Sequence, residues 1–159
     1  MADQPTRHAW GTALLRVWLG VLFVMHGYLG LAVLGPEAIA GYTTHMGFPA
    51  TAGPALAWYL IAAHTVGGAL LVIGLWTRVA ALVNVPVMAA AVFLLHMPEG
   101  FFMHGIILDA AAGRAVAGGY AFTLTVLVAT LAVMLLGAGA LSLDHAIADR
   151  RTALTMEIP

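Results

Sequence analysis

Four apolar runs, each about 20 residues long, set out the chain. They cover about 13–34, 55–76, 79–97 and 120–139. Each is close to the length a helix needs to cross the hydrocarbon core of a bilayer, so the pattern predicts an all-α, integral membrane four-helix bundle. No repeat or linker divides the chain, and 1–159 reads as a single domain. Gly35-Pro36 ends the first run, and Thr77-Arg78 makes a short turn between the second and third, which therefore form an antiparallel hairpin.

Between the runs the chain is more polar. Residues 1–11 carry Trp10 as a headgroup-level anchor. Residues 35–54 read as a loop, with HMGFP as a short interfacial turn. Residues 98–119 form a second long loop, in which FFMHGIIL is apolar but too short to span, and so re-entrant or interfacial. From Leu141 onward the tail returns to water.

The polar positions inside the runs are not scattered. In the first, Arg16, Gly20, Phe23, Gly27 and Gly30 fall within a sector roughly 80° wide at 100° per residue, with His26 on its flank. Glycines and ionisable groups on one side mean that this side packs against helices and not against lipid. In the second, His64 shares a face with Ala57, Gly68, Leu71 and Leu75. In the third, Pro86 should kink the helix and free the carbonyl of Leu82, with Asn84 as a nearby hydrogen-bond partner.

Composition strengthens the membrane assignment. The chain is 62% hydrophobic and 8% charged, with a net charge of −1. A soluble domain carries about 25% charged residues. There is no basic surplus to bind nucleic acid. There is no cysteine, which excludes disulfides, thiolate metal sites and a thiol relay in this chain. An apolar run of about 22 residues behind Arg7 and Arg16 is too long for a signal-peptide core, so it reads as an uncleaved first span. With four spans, Arg7, Arg16, Arg78, Arg150 and Arg151 share one side and Arg114 alone takes the other. The positive-inside rule makes both termini cytoplasmic, with Arg78 as a topology determinant.

Candidate chemistry rests on histidine. His26 lies roughly 20 Å from the cytoplasmic end of its span, and His64 roughly 13–14 Å from the outer end of its own, at 1.5 Å per residue. An ionisable group at such depth is a functional candidate. Tyr59 or a backbone carbonyl could satisfy such a ring. Four of the seven histidines adjoin a methionine: Met25-His26, His45-Met46, His96-Met97 and Met103-His104. Imidazole with thioether suits copper, so His26, His64, His96, His104, Met97 and Met103 form a candidate metal set. Alternatively, His26 and His64 ligate haem b, or hydrogen-bond and protonate a quinone with Tyr59 nearby, since an imidazole with pKa about 6.5 trades protons near neutrality. Arg16 and Asp144 belong at similar depth on one side and form a candidate structural pair. Asp109 and Arg114 are solvated or locally paired, and Glu99 reads as a solvated turn residue.

The segments RVWLGVLFVMHGYLGL, GGALLVIGLWTRVAAL and GAGALSLDH resemble, in order and spacing, the DoxX family of four-span bacterial membrane proteins over nearly the whole chain. The resemblance brings Arg16, His26, Gly27, Gly68, Gly74, Arg78, Ser142 and Asp144 to matching positions. Relatives usually carry a lysine after the span-one HG, a glutamate before the span-two GG and another near Gly119-Tyr120. Here these are absent, and imidazole stands in for carboxylate. The resemblance implies a bacterial cytoplasmic-membrane protein that serves a quinone-linked redox system, as subunit or accessory; with neither a nucleophile–base set nor a known cofactor fingerprint in the sequence, the chain is not expected to catalyse alone. It contacts the lipid bilayer and other membrane or redox subunits. Copper or haem handling at the outer face, or a structural place in a larger membrane complex, are the alternatives.

Overall fold

The computed structural model describes residues 6–102, 106–109, 114–117 and 119–156. In chain order the elements are α1 (Arg7–Leu34), α2 (Pro36–His45), α3 (Ala50–Ile73), α4 (Thr77–Glu99), an antiparallel hairpin of β1 (Ile106–Asp109) and β2 (Arg114–Ala117), α5 (Ala121–Leu136) and α6 (Leu143–Met156). The helices α1, α3 and α4 are long and apolar enough to cross a membrane. The fourth apolar helix, α5, has 16 residues, about 24 Å at 1.5 Å per residue.

Three segments read from the sequence as loop or tail hold regular structure. The stretch after Gly35 is the helix α2, started by Pro36 in its first turn with Glu37 beside the N-terminal dipole. The second long loop contains the hairpin, whose register sets Asp109 opposite Arg114. The tail forms α6, with Asp144 in its first turn.

Close backbone approach joins α1 to α3. A Cβ on Gly20 would lie 2.7 Å from both the Gly68 carbonyl and the Val72 nitrogen, and one on Gly68 would lie 2.9 Å from the Gly20 carbonyl. Only glycine on both sides lets the two backbones meet, the small-residue packing that membrane helices use. The buried positions of α1 are Ala13, Arg16, Leu19, Gly20, Phe23, Gly27 and Gly30, so the polar-and-glycine sector is the packed side.

The core runs through Leu19, Phe23, Leu71, Ala80, Ala81, Met88, Val92, Val126, Leu127 and Val133, drawn from α1, α3, α4 and α5. Outside it the surface stays apolar, with Trp18, Leu14, Leu135 and Val128 among many large hydrophobic residues left exposed. So many exposed large apolar side chains suit a lipid solvent and not water.

One departure from regular helix recurs. Each long helix contains a π-helical stretch: Leu29–Leu34 in α1, Ala63–Gly67 in α3 and Ala91–His96 in α4. Each widens a turn and re-aims the side chains around it. All three stretches lie at the same end of the molecule, around one cavity.

Candidate functional site

His64 sits on the π stretch of α3 and is buried. Its Nδ1 lies 2.8 Å from Asn84 Oδ1 on α4. The amide of Asn84 is fixed in turn, since its Nδ2 donates to the Ala80 carbonyl at 2.9 Å. Oδ1 can only accept, so Nδ1 carries the proton. A tilted Phe23 ring covers the imidazole, 4.9 Å away between centroids.

His26 lies one residue before Gly27 on α1, where a Cβ would meet Thr65 of α3. That contact brings the two histidines together, their rings 6.4 Å apart and nearly perpendicular. His26 is exposed and faces the cavity, with Nδ1 donating to the Leu22 carbonyl at 2.9 Å one turn back. Tyr59 also borders the cavity and donates to the Val83 carbonyl at 2.7 Å, within the turn that Pro86 disturbs. The expected bond from Asn84 to the carbonyl freed by Pro86 is not the one made, because Asn84 serves Ala80 and His64.

The cavity has a volume of about 660 Å³ and is bounded by α1 to α5. Its wall is mostly aliphatic and aromatic, including Leu22, Phe23, Leu60, Met88, Phe122 and Val126. The polar groups on it are His26, His64, His96, Tyr42, Tyr59, Thr43 and Thr123. An apolar chamber with a few convergent polar groups is the usual form of a small-ligand site.

Of the candidate metal ligands, His26, His64 and His96 share this cavity. His96 Nδ1 also pairs with Glu99 at 3.2 Å. Met97 is exposed and not on the cavity wall. Met103 and His104 lie outside the described residues. Among the described residues no group of three or more His, Cys, Asp or Glu is placed to hold a metal ion.

The opposite end of the bundle has a different character. Arg16 is fully buried. Its Nη1 donates to the carbonyls of Leu71 and of Val72, the latter at 3.0 Å, and Nη2 to Ala140 at 3.3 Å and Leu141 at 3.0 Å. The Leu71 and Val72 carbonyls lie in the last turn of α3, where Leu71 also accepts from the Gly74 N–H at 3.2 Å and Val72 has no following helical turn to supply a donor. Asp144 does not receive the guanidinium. Its carboxylate accepts from the backbone N–H of Trp76 at 2.8 Å and Thr77 at 2.9 Å, capping α4. Arg16 and Asp144 therefore meet the same α3–α4 junction, each through backbone, without a direct bridge. Gly74, at φ 69°, makes this possible, since a Cβ there would lie 2.6 Å from Arg16 Nη1 and from Ser142 Cβ. Arg78 is exposed near Gly137.

A family model described as DoxX matches residues 11–97, more than half of the chain. The chain belongs to the DoxX family. No curated protein and no solved structure matches it. The matched region of this DoxX protein holds Arg16, both paired histidines, Asn84, Arg78 and His96. Family and apolar helices together make it a membrane protein in contact with the lipid bilayer.

Sequence reasoning did not find the partnership of Asn84 with His64. A signal was present, because Asn84 is the only asparagine in the chain and lies inside an apolar span. Tyr42, Thr43 and Thr123 on the cavity wall carried no comparable signal.

Proposed function

We propose that this DoxX protein is a subunit or accessory of a quinone-linked redox system in the bacterial cytoplasmic membrane, and that the cavity seats the quinone head group. The observation that carries this reading is the apolar cavity of about 660 Å³ with His26 and His64 side by side on its wall. A quinone combines an apolar ring and tail with two oxygens that exchange protons as electrons are gained or lost. Imidazole nitrogens can hydrogen-bond those oxygens. The chain has no thiol, so electrons reach the ligand from a partner subunit or a further cofactor.

Haem b fits less well. A porphyrin held between the two imidazoles would have to part α1 from α3, where Gly27 abuts Thr65. Copper would have to draw further ligands to the pair, beyond any grouping found among the described residues.

In this reading α1, α3, α4 and the shorter α5 form one four-span domain with both termini cytoplasmic. The cavity then opens toward the outer half of the membrane, and Arg16 lies at the cytoplasmic end. The arginine distribution supports this orientation. Alkaline phosphatase fused after residue 47 should be active, and fused at the C-terminus inactive.

The binding test is retention of ligand. Protein purified into lipid nanodiscs should carry quinone, measured by extraction and mass spectrometry, above the level in empty nanodiscs of the same lipid. His26→Ala and His64→Ala together should return it to that background. Equal quinone in loaded and empty discs would remove the assignment.

A further inference from the structure

We infer that the cavity selects the reduced form of its ligand: the Nε2 lone pairs of His26, His64 and His96 on its wall call for a hydrogen-bond donor, a hydroquinone in preference to the quinone. The inference rests on the assignment of the cavity to a quinone-class ligand and adds the redox state that binds.

All three imidazoles turn Nδ1 toward an oxygen that accepts. For His26 this is the Leu22 carbonyl at 2.9 Å, for His64 it is Asn84 Oδ1 at 2.8 Å, and for His96 it is a Glu99 carboxylate oxygen at 3.2 Å. Three histidines on one cavity thus share one tautomer. A neutral imidazole that donates through Nδ1 keeps an unprotonated Nε2, which can only accept. Among the described residues no Nε2 of the three has a hydrogen-bond partner from the protein.

The hydroxyls on the wall do not reverse this balance. Tyr59 gives its proton to the Val83 carbonyl at 2.7 Å, and Thr43 gives its own to the Ala40 carbonyl at 2.8 Å. Each keeps only lone pairs for a ligand. Tyr42 and Thr123 remain as groups that turn either way. A quinone carbonyl set against these lone pairs is desolvated without gaining a hydrogen bond, whereas a hydroquinone O–H fills one. Selective retention of the reduced form raises the midpoint potential of the bound couple by about 30 mV for each factor of ten in preference, for two electrons. The reaction class this favours is transfer of electrons onto the ligand, from a reductant on the partner side.

The test is a pair of anaerobic titrations of the nanodisc-embedded protein, with one-isoprene ubiquinol and one-isoprene ubiquinone, at about pH 8, where ordinary histidine is neutral. The reduced form should bind about tenfold tighter, the worth of one hydrogen bond made in one redox state and absent in the other. Glutamine at these positions can offer an N–H to the ligand. His64→Gln and, independently, the exposed His26→Gln should each move the ratio toward one, and the exposed site guards against a folding artefact. Equal or tighter binding of the quinone overturns the inference and leaves the cavity assignment standing. A ratio unmoved in both variants overturns it likewise. Binding of neither form overturns the cavity assignment and the inference together.

Discussion

The two ends of the bundle treat their polar groups in opposite ways. At the Arg16 end, the guanidinium and the Asp144 carboxylate are committed to backbone groups at helix termini, and glycine contacts bring the chains close. At the histidine end, three imidazoles commit one nitrogen each and leave the other to a cavity. The same π-helical device recurs in the three long helices among those that border that cavity. The contrast separates scaffold from site. A group whose every bond goes to the backbone of its own bundle holds the bundle together. A group that keeps a lone pair for an apolar chamber is equipped to hold something else.

The contrast predicts that damage at one end is read as stability and at the other as binding. The largest effect should follow Arg16→Met, which strands the carbonyls of Val72, Ala140 and Leu141 and leaves Leu71 only its bond from Gly74. A loss of at least about 3 kcal/mol is expected, since each buried carbonyl left without a donor costs about 1–3 kcal/mol. It would show as a collapse of the detergent-solubilised melting temperature, and Arg16→Lys should recover only part, because ammonium lacks the planar fork. A melting temperature within 2 °C of wild type, about 0.5–1 kcal/mol, would break the contrast at its strongest point.

Gly20→Val comes next. Its side chain would be driven into the Gly68 carbonyl and Val72 nitrogen. A cost of about 2–3 kcal/mol is expected from overpacking. Because the same α1–α3 seam continues to the Gly27–Thr65 approach that aligns His26 with His64, quinone retention should fall as well, making this the substitution that couples the two ends.

Asn84→Leu should cost about 1–3 kcal/mol, the penalty for leaving the His64 Nδ1–H without its acceptor. It should also cost the preference for hydroquinone, since the ring is then free to turn over. If stability falls while the preference stays, Asn84 is scaffold and belongs with the Arg16 end. The smallest effect is expected from Asp144→Ala, which removes the α4 cap at about 1 kcal/mol and leaves ligand affinity unchanged in a titration of the folded protein.

How much of this was legible in the sequence follows the same division. The long helices were legible because length and hydropathy define them, and the packed side of α1 because its glycines fall on one sector. The destination of Arg16 was not. Its partners are carbonyls at the end of α3 and before α6, and a sequence does not label which backbone groups lack a helical donor. Opposite charge at matching depth pointed to Asp144, yet that carboxylate is drawn to the open N–H groups of Trp76 and Thr77. Similar depth marked His26 and His64 as candidates and as partners, but not what brings their rings together, which is the Gly27–Thr65 approach and π stretches with no sequence signature. The helix α2 was hidden by Gly41 and by Thr43-Thr44, both poor in helix propensity. Packing of its Ile39 and Thr43 under the cavity overrides that preference.

The central claim is that a quinone-class ligand occupies the cavity between the histidine-bearing helices. Photolabelling of the membrane-embedded protein with an azidoquinone, followed by peptide mapping, tests it most directly. Label should fall on peptides containing residues 22–34, 56–64 and 86–96, and excess unlabelled quinone should displace it. Label confined to lipid-facing positions such as Trp18 and Leu135, or label that excess quinone fails to displace, would contradict the claim.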